Sequence, residues 1–95
     1  MKLSFVVPAY NEEKSISSCL QAILNETSGA NIETEIVVIN NASTDRTKEI
    51  AASFPDVKVI DEPKKGLVVA RQAGFNATTG DLIASASTKG LDFAA

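Results

Sequence analysis

The strongest constraint on the fold is a pair of short apolar runs, residues 3–7 and 36–39, that lack the polar alternation of a strand with one wet face. Phe5, Val6 and Val7 in the first run, and Ile36, Val37, Val38 and Ile39 in the second, are consecutive. Both faces of each strand therefore need cover, as in a parallel sheet held between helices. Each run leads into polar turn residues, with Asn11 and Glu12 following the first and Asn40 and Asn41 the second.

The segments between and after these runs carry helical spacing. Ile16, Cys19, Leu20, Ile23 and Leu24 recur at steps of three and four, which predicts helix α1 over residues 12–25 after strand β1 at 3–7. Asn11 is placed to cap it, and Glu12 and Glu13 lie favourably against its dipole. Strand β2 is expected over 35–40. Ile50, Ala51 and Phe54 predict a short α2 that Pro55 ends, with residues 41–45 offering caps and shaping the loop.

Residues 57–61 read as β3, and after a turn at 63–66, residues 67–76 read as α3. Ala70, Ala73, Gly74 and Ala77 would let that helix approach a sheet closely. Gly80 is a stop signal, and residues 81–86 read as β4. The alternation predicts right-handed crossovers and an α/β three-layer sandwich around a Rossmann-like parallel sheet. Residues 1–86 are expected as one domain and 87–95 as an irregular C-terminal tail.

Composition removes several functions. A chain of 95 residues with 44% hydrophobic content has room for one small core, burying roughly 60–70% of its unfolded surface. A net charge of −3 with nine scattered Lys and Arg gives no footprint for nucleic-acid phosphates. One cysteine and no histidine exclude an intrachain disulfide, a Cys/His zinc site and a Ser-His-Asp or Cys-His triad. Cys19 reads as a small buried hydrophobe. No stretch approaches the ~18–20 apolar residues of a membrane span, and Pro8, Glu12 and Glu13 interrupt the leading run where a signal peptide would continue. A soluble, cytoplasmic protein is expected.

In an open parallel sheet, ligands settle beyond the carboxyl ends of the strands. Three polar segments fall there, at residues 8–12, 40–45 and 61–65. Tyr10 offers an aromatic face for a base, or packing for its own loop. Lys64 and Lys65 could add positive potential toward a diphosphate, but adjacent lysines in a turn read as solvent-facing.

The strings VVPAYNEE, IVVINNASTD and GLVVARQAGFNATTGDLI, in this order on these elements, resemble the family 2 glycosyltransferases of the GT-A fold over residues 2–86. The resemblance implies the N-terminal nucleotide-binding half of a GT-A domain, with sheet order 3-2-1-4. It implies a nucleotide diphosphate sugar as ligand, whose sugar the intact family passes to an acceptor hydroxyl. It assigns Pro8, Ala9 and Tyr10 to base and ribose contact and Glu12 to a polar contact nearby. Asn40 matches the position where the family commonly places a base-recognising aspartate. Arg71 matches an arginine or lysine near the nucleotide, where a guanidinium could pair with phosphate or the base-binding acid; the alternative is a solvated helix residue.

Two departures limit what these residues do. Asn40 can accept and donate a hydrogen bond but has lost the family's charge. The family's Asp-x-Asp, which holds magnesium or manganese, aligns with Ser87, Thr88 and Lys89, where no carboxylate remains. Asp81 lies at the opposite sheet edge and Asp92 stands alone, so neither an intact metal site nor a catalytic residue is expected.

The resemblance places the acceptor-binding half and catalytic base after these residues, so this truncated stretch is not expected to complete transfer alone. It would also leave β4 as a bare apolar edge, which predicts self-association or pairing with a missing C-terminal half. A non-enzymatic module docking through that edge is the second reading. A dinucleotide-binding oxidoreductase half is disfavoured, because no Gly-x-Gly-x-x-Gly follows β1.

Overall fold

The computed structural model describes residues 2–29, 31–87 and 90–92. Its elements are β1 (Lys2–Ala9), α1 (Ile16–Thr27), β2 (Glu33–Asn40), α2 (Thr47–Ala52), β3 (Val57–Asp61), α3 (Leu67–Ala77), β4 (Leu82–Ser87) and β5 (Gly90–Asp92). The first four strands form the expected parallel sheet in the order β3-β2-β1-β4. Among the described residues, no helix is long and apolar enough to cross a membrane.

The consecutive apolar residues divide between two cores because successive side chains of a strand point to opposite faces. Phe5, Val7, Ile36 and Val38 pack with Ile16, Leu20 and Ile23 of α1 and Ala51 of α2. Val6, Val37 and Ile39 pack on the other face with Ala70 of α3. Each large side chain buried this way stabilises the fold by roughly 1.5–3 kcal/mol relative to exposure. The small-residue face of α3 does approach closely: at Gly74 a Cβ would overlap Cγ1 of Val6.

Several boundaries differ from those expected. Helix α1 starts at Ile16, because Asn11 adopts a left-handed φ of 49° and the chain makes a turn before it coils. In that turn the Ser15 and Ile16 amides donate to the Glu12 carbonyl at 2.9 and 2.8 Å. Asn11 therefore does not cap α1, and its first turn carries no acidic residue.

Gly80 does not stop α3, which ends at Ala77. It lies where the chain passes Ser4, donating its amide to Ser4 Oγ at 2.9 Å, with no room for a Cβ. Asp81 sits at the amino end of the sheet, exchanging bonds with Lys2: the Lys2 amide donates to Asp81 Oδ2 at 2.9 Å, and the Asp81 amide donates to the Lys2 carbonyl at 2.8 Å.

Strand β1 continues through Pro8 to Ala9. The Ala9 carbonyl accepts from the Asn41 amide at 2.8 Å, so the polar groups of Ala9 face β2 and the nitrogen of Pro8 faces the β4 side. Pairing with β4 ends at Val6, so no ladder bond is lost to the proline.

The expected bare edge of β4 and the expected irregular tail both need correction. Strand β5 pairs antiparallel with β4 over Ser85, Ala86 and Ser87. A free edge presents unpaired N–H and C=O groups, and the returning chain supplies partners for part of that row. Among the described residues, only the first half of β4 lacks a neighbour on that side.

Candidate functional site

Strands β1 and β2 end side by side, with Ala9 opposite Asn40. The loops that follow are tied to each other. The Asn11 amide donates to Ser43 Oγ at 3.0 Å, and the Thr44 amide donates to Asn11 Oδ1 at 2.8 Å. The Glu12 amide donates to Thr47 Oγ1 at 2.8 Å, and the Glu13 amide to Asp45 Oδ2 at 3.3 Å. Asp45 also accepts from the Thr47 amide at 2.9 Å where α2 begins. Residues 43–45 thus serve the start of α2 and also satisfy the backbone of the first loop, which fixes its course.

Asn41 ties down a third loop. This side chain is only 6% exposed, and its Nδ2 donates to the carbonyls of Glu62 at 3.1 Å and Lys64 at 2.8 Å. Its Oδ1 accepts from the Gly66 amide at 3.0 Å. Both amide hydrogens are used, so one buried group holds residues 62–66 against the end of β2. Gly66, at φ 141°, turns the chain into α3 in a region that favours glycine.

These loops enclose a cleft of about 380 Å³ at the carboxyl edge of the sheet. Pro8, Ala9, Tyr10 and Glu12 form the β1 wall and Asn41 the end of β2, while Lys65, Gly66, Leu67 and Ala70 form the α3 wall. The lining is largely apolar, with one cation, Lys65, and one carboxylate, Glu12. Tyr10 is 44% exposed at the mouth. Lys65 Nζ donates to the Tyr10 hydroxyl at 3.2 Å and lies 4.9 Å from the ring centre, so the hydrogen bond is the closer contact.

Four of the six residues expected at the site, Pro8, Ala9, Tyr10 and Glu12, thus come together in one cleft. Asn40 and Arg71 do not line it. Asn40 is 8% exposed; its Nδ2 donates to Asp61 Oδ1 at 3.0 Å and its Oδ1 accepts from the Ser43 amide at 3.3 Å. Asp61 also receives Lys48 Nζ at 2.6 Å, and these bonds, from Lys48 first and Asn40 second, hold its carboxyl below the ordinary range. Arg71 is exposed on α3.

The reason is geometric. Ile36 and Val38 face α1, and Asn40 continues that alternation; Val37 and Ile39 face α3, and Asn41 continues theirs toward the cleft. On α3, Ala70 and Gly74 face the sheet, and Arg71 is turned away by about 100°, the step of an α-helix. The same period-two reasoning, applied to β2, would have selected Asn41 from the sequence. The sequence offered Lys64 and Lys65 alike; which of them lines the cleft depends on the loop that Asn41 holds.

Among the described residues, no three Asp, Glu, His or Cys side chains converge into a group that could hold a metal ion. The position that the resemblance gives for the metal motif, Ser87, Thr88 and Lys89, lies outside the described residues apart from the backbone of Ser87.

Residues 4–86 match the family model described as glycosyl transferase family 2. Among curated relatives, the dolichyl-phosphate beta-glucosyltransferase ALG5A of Trichomonas vaginalis is 37% identical over 96% of this chain and 32% of its own length. Among solved structures, S. aureus TarS 1–349 in complex with UDP superposes with a TM-score of 0.83 at 27% identity, covering 93% of this chain and 27% of the TarS 1–349 chain. The mannosyltransferase PcManGT of Pyrobaculum calidifontis, solved with GDP-Man and Mn2+, gives 0.77 at 27% identity, over 90% of this chain and 27% of its own. The chain spans about a quarter to a third of the length of the first relatives it matches.

Proposed function

The chain belongs to glycosyl transferase family 2, and from that premise we propose that its cleft holds the nucleotide of a nucleotide diphosphate sugar. The observation that carries this reading is the convergence of Pro8, Ala9, Tyr10 and Glu12 in one largely apolar cleft at the carboxyl edge of a parallel sheet. In this reading the Tyr10 ring offers a stacking face to the base. Pro8, Ala9 and Ala70 give close van der Waals walls, and the Glu12 carboxylate accepts from ribose hydroxyls or base N–H groups.

The reaction proposed for a protein with the length of the relatives is sugar transfer from such a donor to an acceptor hydroxyl. These 95 residues contribute donor binding to it. Asn40 plays a supporting part in this reading, since its amide is committed to Asp61 and Ser43. Docking through a bare β4 edge is the second reading, and with β5 paired along residues 85–87 it has only the first half of that strand to use.

Calorimetric titration with UDP and GDP tests the reading. Binding of at least one is expected, with a loss of about 1–3 kcal/mol in Tyr10→Ala from the removed stacking face. Absence of binding by both nucleotides, or full affinity in Tyr10→Ala, would overturn it.

A further inference from the structure

We propose that Lys65 is the cation that meets the phosphate groups of the bound nucleotide, and that its contact with the Tyr10 hydroxyl is the resting position of the ammonium. The proposal rests on the nucleotide reading above and adds the residue that answers the ligand's charge.

Four observations carry it. Lys65 is the one cation in the lining, in a cleft whose other walls are suited to a base and a sugar ring. Its Nζ has a neutral partner, the Tyr10 hydroxyl at 3.2 Å, and among the described residues no carboxylate pairs with it. The other nearby cations are differently placed: Lys48 is paired with Asp61 at 2.6 Å, and Arg71 and Lys64 do not line the cleft. Finally, the backbone on both sides of Lys65 is held by Asn41, through the Lys64 carbonyl and the Gly66 amide, so the side chain starts from a fixed point.

A lysine with a single neutral hydrogen bond can exchange that partner for a phosphate oxygen without leaving a carboxylate unpaired. The exchange replaces a bond to a hydroxyl with a charge-assisted one. Because Lys65 is exposed at the rim, the attraction to a diphosphate is partly screened and should fall with salt. Its four-carbon stem lets the ammonium move from Tyr10 to the phosphates with no change in the loop.

The test is an NMR titration of the 95-residue chain with uridine and UDP, for the wild type, Lys65→Met and Lys65→Arg. Lys65→Met is expected to bind UDP about tenfold more weakly, as for loss of one charge-assisted bond. Its affinity for uridine is expected to be unchanged, and Lys65→Arg to retain UDP affinity. The wild-type affinity for UDP should also fall more steeply with sodium chloride than that of Lys65→Met. Equal UDP affinity in Lys65→Met overturns the inference and leaves the nucleotide reading standing. An equal loss for uridine and UDP also overturns it, assigning Lys65 to the base. Where only guanosine and GDP bind, the same comparisons are read on that pair. A wild type that binds neither UDP nor GDP defeats the nucleotide reading and this inference together.

Discussion

The side chain of Asn41 and the backbone of Lys64 meet in a 2.8 Å hydrogen bond that joins the end of β2 to the loop before α3. With the matching bonds to Glu62 and Gly66, it makes one buried amide the clamp of the α3 wall. Asn41→Asp keeps the shape but turns two donors into acceptors facing carbonyls. The expected loss is about 1–3 kcal/mol for those unsatisfied groups, read from urea denaturation at neutral pH. A variant as stable as the wild type would show that the clamp does not hold the loop.

Ala42 lies just beyond, at a φ of 63°. A Cβ in the left-handed region costs about 1–2 kcal/mol, a strain that glycine does not carry. Ala42→Gly is therefore expected to stabilise the fold, by about 1 kcal/mol after the extra chain entropy of glycine is subtracted. A thermal melt in which Ala42→Gly unfolds below the wild type would contradict this.

Gly74 meets Val6 with no space for a methyl group. Gly74→Ala gains helix propensity but must push α3 off the sheet, with an expected net destabilisation of about 1–3 kcal/mol. Pairing it with Val6→Ala should recover part of the loss, because the two changes act on one contact. Strict additivity in the double variant would refute the contact.

Glu35 gives the fold a pH dependence. Its Oε1 accepts from the Thr79 amide at 2.9 Å and from Ser4 Oγ at 2.8 Å, and these bonds, with Thr79 the larger influence, hold its carboxyl below the usual value. A carboxyl depressed on folding stabilises the protein above its unfolded pKa, roughly 4.3 for glutamate. That stabilisation is lost as the pH falls through the lower folded value. The melting temperature should drop as acid is added below about pH 4.3, and Glu35→Gln should flatten part of that drop. An unchanged acid slope in Glu35→Gln would remove Glu35 from the account.

Much of this was legible in the residues alone. The runs at Phe5 and Ile36 required a doubly covered parallel sheet, the spacing of Ile16, Leu20 and Ile23 required a helix across it, and the small residues of α3 required close approach. Chain direction put the turn at residues 8–12 at the ligand edge of the sheet, and the resemblance carried by VVPAYNEE singled out Pro8, Ala9, Tyr10 and Glu12 within it. These are local matters of periodicity and chain direction, which a sequence states directly.

What only the tertiary structure decided is which neighbours those turns acquire. Asn11 reads as a helix cap, yet it adopts a left-handed turn and bonds to Thr44, 33 residues away. Asn40 and Asn41 are chemically alike, and the face that each takes assigns one to Asp61 and the other to the cleft. Lys65 looks like any turn lysine until a buried amide from another strand fixes its backbone beside Tyr10. Sequence determines where a strand ends and a polar turn begins; which hydrogen bonds satisfy that turn depends on groups that only folding brings within 3 Å.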